Sequence, residues 1–190
     1  NNGNAIKKCE GGTVTVSPTA CTGSTITDLT YDALNRTTQV AKTGLTTQTY
    51  GYDDQGRRIR KSIGATPTSY LYQGQNIIAE YASWTAATAS YTHGSGTDTP
   101  MVRATTATTQ YYHQDGLGSV VALTNASGAT DGTARYDAWG QKVASTGNLP
   151  LYGYTGREPD ETGLIYYRAR YYDPAIGRFA QRDPVGMRAG

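Results

Sequence analysis

The chain has little of what marks a catalytic metal site, a nucleic-acid binder or a membrane span. Its 190 residues include two cysteines, two histidines and one phenylalanine. His93 and His113 are the only histidines and there is no Cys-x-x-Cys, so no metal site is expected. Charged residues are 17% of the chain and the net charge is +2, too little for a strongly basic face toward nucleic acid. No apolar run approaches the ~20 residues that cross a bilayer. The first residues do not resemble a signal peptide. The chain begins without Met and ends at Arg-Ala-Gly, which reads as an internal segment of something longer.

What is abundant points one way. There are 16 tyrosines, 30 threonines and 23 glycines. Thr and Tyr suit pleated, half-wet surfaces, and Gly suits tight turns. Tyr in place of Phe suggests sheet faces that are apolar at the ring and wet at the hydroxyl. No window carries helical periodicity over three turns. The expected class is all-β.

The chain is also periodic. Segments of one type begin at Tyr31, Tyr52, Tyr72, Tyr91 and Tyr112, 19 to 21 residues apart, and again at Tyr136 and Tyr172 after wider gaps. Asp32, Asp53, Asp137 and Asp173 directly follow their tyrosines. Asp starts a turn by bonding its own backbone, and Gly or Asn a few residues on closes it. About 20 residues hold two strands and two turns. One hairpin is marginal alone, so each must lie against its neighbours in a continuing sheet of antiparallel hairpins. Three regions follow: a poorly committed Gly/Thr-rich segment at 1–28, repeat hairpins at 29–110 and a denser motif region at 111–190.

Several residues stand out individually. Cys9 and Cys21 lie close in sequence, so a disulfide and two free thiols are both open; a disulfide would suit an exported protein. Gly116-Leu117-Gly118-Ser119 reads as a hairpin turn rather than a phosphate loop. Arg57, Arg58, Arg60 and Lys61 read as solvated charge on a strand edge. Leu164 to Asp173 alternates and reads as one long strand, with Arg168 and Arg170 between tyrosines. Exposed tyrosine faces would also suit a sugar-binding module.

The repeats resemble the YD repeats of bacterial Rhs proteins, toxin-complex C components and teneurins. YYHQDGLGSVVALTNASG (Tyr111 to Gly128), YDAWGQ (Tyr136 to Gln141) and YTGREPDETGLIYYRARYYDPAIGRFAQRDPVG (Tyr154 to Gly186) are similar to the Rhs-associated core domain. YTHGSGTDTP (Tyr91 to Pro100) is similar to the segment that precedes that core. The likeness covers about residues 29 to 190.

The resemblance implies one continuous sheet, curved or spiralling into a shell around a C-terminal toxin, with the core as its closing end. It also implies self-cleavage, with Arg182 and Asp183 of Arg182-Asp183-Pro184-Val185-Gly186 in an aspartyl-protease-like site. The family's second Asp lies further downstream than Gly190. One carboxyl group cannot act as both base and acid, so the isolated chain is expected to be catalytically silent. The implied partners are the rest of the shell and the enclosed toxin, with no cofactor, no nucleic acid and no transmembrane segment. The implied location is secreted or at the bacterial cell surface. The second reading is an extracellular homo-oligomer or fibre, built by pairing at the open sheet edges.

Overall fold

The structure is a computed structural model and describes residues 4–10 and 25–183. Its main element is a 13-stranded sheet whose strand order is the chain order. The strands are β1 (Lys7–Glu10), β2 (Thr25–Tyr31), β3 (Thr37–Lys42), β4 (Gln48–Tyr52), β5 (Arg58–Ile63), β6 (Thr66–Gln73) and β7 (Asn76–Ser83). They continue as β8 (Ala86–His93), β9 (Pro100–Ala104), β10 (Thr109–Gln114), β11 (Val120–Asn125), β12 (Thr130–Tyr136) and β13 (Lys142–Gly147). The pairing is antiparallel and hairpin-linked, as the sequence period requires. A second sheet holds β14 (Glu158–Pro159), β15 (Ile165–Tyr167), β16 (Arg170–Asp173) and β17 (Arg178–Phe179). Among the described residues the only helical element is one 3-10 turn, Tyr154–Gly156.

One turn geometry recurs and explains the repeat. At Asp32, Asp53, Asp115, Asn125 and Asp137 the main-chain N–H donates to the carbonyl four residues on. The carbonyl of the same residue accepts the N–H three residues on. That third residue is left-handed in every case: Asn35 (φ 68), Gly56 (φ 78), Gly118 (φ 83), Gly128 (φ 81) and Gly140 (φ 87). The side-chain Oδ1 adds bonds of 2.8–3.1 Å from nearby N–H groups, for example Leu117 and Ser119 onto Asp115. Asp or Asn at the start and Gly or Asn three on is therefore the local code. Arg36 and Arg57 strengthen two of these turns by ion pairs of 2.7 Å to Asp32 and Asp53. Burial alone would push the Asp32 carboxyl up. The Arg36 main-chain N–H and guanidinium outweigh it and hold the group below the usual carboxylate range.

The chain divides into two compact units. The second holds residues 68–167 and 172–178. Its core is Tyr70, Ile77, Ala89, Tyr91, Tyr112, Val120, Leu123 and Tyr152. Tyr152 arrives from the segment after β13, which turns back over the sheet. Its ring meets Tyr91, His93 and Tyr112 edge-on at 5.6–5.7 Å. The Tyr112 hydroxyl donates to the Pro150 carbonyl (2.7 Å), and Val120 N–H donates to the Gly153 carbonyl (2.9 Å). Among the described residues the first unit holds those up to 67, 168–171 and 179–183. Its buried residues include Leu29, Val40, Tyr50 and Tyr171 and the polar Thr37, Gln48, Arg58 and Gln181.

Two of these turns make a controlled comparison. Gly128 and Gly140 share the left-handed conformation. A Cβ on Gly128 would meet nothing within 4 Å, whereas one on Gly140 would collide with the ring of Tyr154. Gly128→Ala is expected to cost only the backbone penalty, about 1–2 kcal/mol. Gly140→Ala is expected to add an overpacking cost of about 1–3 kcal/mol. Urea unfolding of the two variants measures the difference, and equal losses would show that Tyr154 does not constrain this turn.

Two local expectations are corrected. Leu164 to Asp173 is not one strand: β15 stops at Tyr167 and β16 starts at Arg170. Arg168 takes a left-handed conformation between them (φ 57), so the alternation hides a reversal that no glycine announces. Arg58 is not solvated edge charge: β5 is an inner strand and Arg58 is 0% exposed. Its guanidinium lies 5.3 and 5.9 Å from the ring centres of Tyr50 and Tyr171. Stacked on two aromatic faces, a cation can be buried where a sheet position alone would not hold it.

Candidate cleavage half-site

Asp183 ends the described part of the chain, and Pro184, Val185 and Gly186 of its motif lie outside the described residues. Its carboxylate forms an ion pair with Arg170, Oδ2 to Nη2 at 2.9 Å. The Arg170 guanidinium also lies over the Phe179 ring at 3.8 Å. β16 and β17 therefore supply a flat cation, held on one face by an aromatic ring, directly beside the carboxylate. The Asp183 side chain remains 42% exposed, so water can reach it.

The backbone leading into Asp183 is held residue by residue. Ala180 N–H donates to the Tyr171 carbonyl, and Ala5 N–H donates to the Ala180 carbonyl, both at 2.8 Å. Tyr171 N–H donates to the Gln181 side-chain Oε1 at 2.7 Å. Gln181 Nε2 donates to Thr37 Oγ1. Arg182 N–H donates to Asn4 Oδ1 at 3.3 Å. The Tyr171 ring is fixed in turn by Arg58, whose Nη1 donates to its hydroxyl at 2.8 Å, and by the Tyr50 ring at 5.3 Å.

The repeat residues are distributed along the two sheets rather than gathered at this place. Tyr31 and Tyr52 donate their hydroxyls to the Ala5 and Thr37 carbonyls, both at 2.6 Å. Tyr72 packs against the second unit's core, where Tyr91 and Tyr112 are buried. Tyr136 contacts Tyr154, and the Tyr172 hydroxyl donates to the Trp139 carbonyl at 2.8 Å. Asp32, Asp53, Asp137 and Asp173 bond the backbone of their own turns. Burial pushes the Tyr152, Tyr91 and Tyr112 hydroxyls far above the usual phenol range, and those of Tyr31 and Tyr136 up to about 12. These phenols are packing groups, not acids or bases near neutrality; the Tyr91 hydroxyl is buried without a hydrogen-bond partner among the described residues.

Among the described residues no cluster of His, Cys, Asp and Glu could hold a metal, and no helix is long and apolar enough to cross a membrane. Cys9 is disulfide-bonded, one of the two states left open by the sequence; Cys21 lies outside the described residues. Sequence reasoning did not find Arg170 as the cation on Asp183, nor Gln181, nor the Tyr152 and Tyr171 contacts. The only visible signal for the last two was the density of tyrosines between Tyr152 and Tyr172.

A family model described as the teneurin YD-shell matches residues 22–187. The tRNA3(Ser)-specific nuclease WapA of Bacillus spizizenii is 36% identical over 166 residues, covering 82% of this chain and 7% of that protein. Double-stranded DNA deaminase toxin A of Burkholderia cenocepacia is 26% identical over 197 residues, covering 85% of this chain and 14% of that protein. The crystal structure of TcdB2-TccC3 superposes with a TM-score of 0.65 at 23% identity, over 86% of this chain and 9% of that one. The chain thus spans a small fraction of the length of the relatives it matches.

Proposed function

Because the chain belongs to the teneurin YD-shell family, we propose that it is a wall segment of an Rhs-type shell that encloses and delivers a C-terminal toxin. The observation that carries this is the 13-stranded sheet laid down in strict chain order. Such a sheet can be lengthened by adding hairpins without rearranging those already present. Its outermost strands are β1 and β13, where the rest of a wall would continue the pairing. The names of two relatives, a nuclease and a deaminase toxin, favour an enzyme as the enclosed cargo. Secretion or display at a bacterial surface fits that task.

The second part of the reading is self-cleavage, favoured by the Arg170–Asp183 pair at the end of the core. One carboxylate would take a proton from water while the water oxygen bonds to the scissile carbonyl carbon. The downstream Asp, as the acid, would give its proton to the carbonyl oxygen. The C–N bond then breaks as the carboxyl that took water's proton passes it to the leaving nitrogen, and one diol hydroxyl returns its proton to the downstream carboxylate. Arg170 orients the Asp183 carboxylate and balances its charge.

Mass spectrometry of the protein as its host makes it tests the shell. The expected result is a long wall polypeptide and a separate C-terminal fragment that travel together in native conditions and part on denaturation. A single short polypeptide assembling into regular fibres would overturn the shell and favour the fibre reading.

A further inference from the structure

Gln181 is buried at 4% exposure, two residues before Asp183. Both ends of its amide are used. Oε1 accepts the main-chain N–H of Tyr171 on β16, and Nε2 donates to the hydroxyl of Thr37, itself 0% exposed at the start of β3. An apolar side chain of the same length would fill this space without the desolvation cost that a buried amide carries. What the amide adds is direction. Hydrogen bonds weaken steeply when distance or angle is wrong, whereas apolar contacts tolerate sliding. In an extended segment a slip of one residue turns every side chain to the opposite side. Such a slip here would carry the Asp183 carboxylate away from Arg170.

We propose that Gln181 is the positioning residue of the cleavage half-site, registering residues 180–183 between β3 and β16 so that the Asp183 carboxylate meets Arg170. This rests on the cleavage reading of Asp183. Thr37 belongs to the same device, because its hydroxyl receives the Gln181 amide.

The test uses the full precursor, running through the downstream carboxylate and the cut, with the cut fraction followed over time. Gln181→Met keeps the length and removes both bonds; cutting is expected to slow about 10- to 100-fold. Thr37→Ala removes one bond and should also slow it, while Thr37→Ser keeps the hydroxyl and should restore the wild-type rate. Val40→Ala is the stability control, since Val40 is buried at 0% in the same unit and touches none of these groups through a hydrogen bond; it should unfold earlier yet cut normally. If Val40→Ala slows cutting as much as Gln181→Met, the effect is stability alone and the proposal is overturned. Wild-type cutting in both Gln181→Met and Thr37→Ala overturns it as well. Should Gln181→Met fail to fold, the Thr37 pair decides. An Asp183→Asn precursor run beside them separates the two layers: if it cuts normally, the cleavage reading itself fails.

Discussion

An Asp183→Asn precursor that includes the downstream carboxylate is expected to stay in one piece, with cutting slowed by about 10²–10⁴-fold. The replacement is nearly the same size, so the main-chain bonds of Ala180 and Arg182 and the side-chain bond of Gln181 are left in place. Arg170 keeps its stack on Phe179. What is lost is the group that, in the proposed cleavage, takes a proton from water, together with the negative charge facing Arg170 at 2.9 Å. An amide can neither accept that proton near neutrality nor share one with a second carboxyl. A gel time course of newly made precursor shows the outcome directly. Normal cutting in this variant would remove Asp183 from the mechanism and leave the Arg170 pair as a purely structural contact.

The parts of the fold that sequence revealed are those whose cause is local. The turn at Asp137 needs only Asp137, the left-handed Gly140 and the N–H groups of Trp139 and Gln141, all within five residues. The same holds at Asp32 and Asp53, so the tyrosine-aspartate spacing led to consecutive hairpins in one sheet. Asp115 and Asn125 build the same turn out of phase with the tyrosine count. Arg168 was misread because a left-handed arginine carries no sequence mark. Arg58 was misread because its environment is not on its own strand: Tyr171, which receives its hydrogen bond, is 113 positions away. Gln181 and Thr37 meet across 144 positions. The sheet was legible because each hairpin specifies itself. The surroundings of Asp183 were not legible, because they are made by residues 180–183 returning to strands laid down far earlier.

Arg58 shows how much depends on that return. Arg58→Ala is expected to destabilise the first unit by about 3–5 kcal/mol, in the range of large-to-small changes in a core. It empties the space between Tyr50 and Tyr171 and takes the 2.8 Å donor from a hydroxyl on a ring only 1% exposed. Arg58→Lys restores the stem and the charge. It does not restore a flat group that faces two rings, so it should recover less than half of the loss. Tyr171→Phe keeps the ring and removes only the acceptor; for a hydrogen bond from a charged donor the expected cost is about 1.5–3 kcal/mol. Urea unfolding of the single variants and the Arg58→Ala/Tyr171→Phe double variant closes a cycle, and a coupling of at least about 1 kcal/mol is expected for groups in direct contact. A loss below about 1 kcal/mol for Arg58→Ala would mean that the unit repacks around the gap. Tyr171 also accepts the Ala180 N–H at 2.8 Å, so a loosened Tyr171 should free the residues that lead into Asp183. In the full precursor, Arg58→Ala should therefore lose cutting as well as stability, through the chain of contacts Arg58, Tyr171, Gln181 and Asp183 rather than through any group that touches the scissile bond.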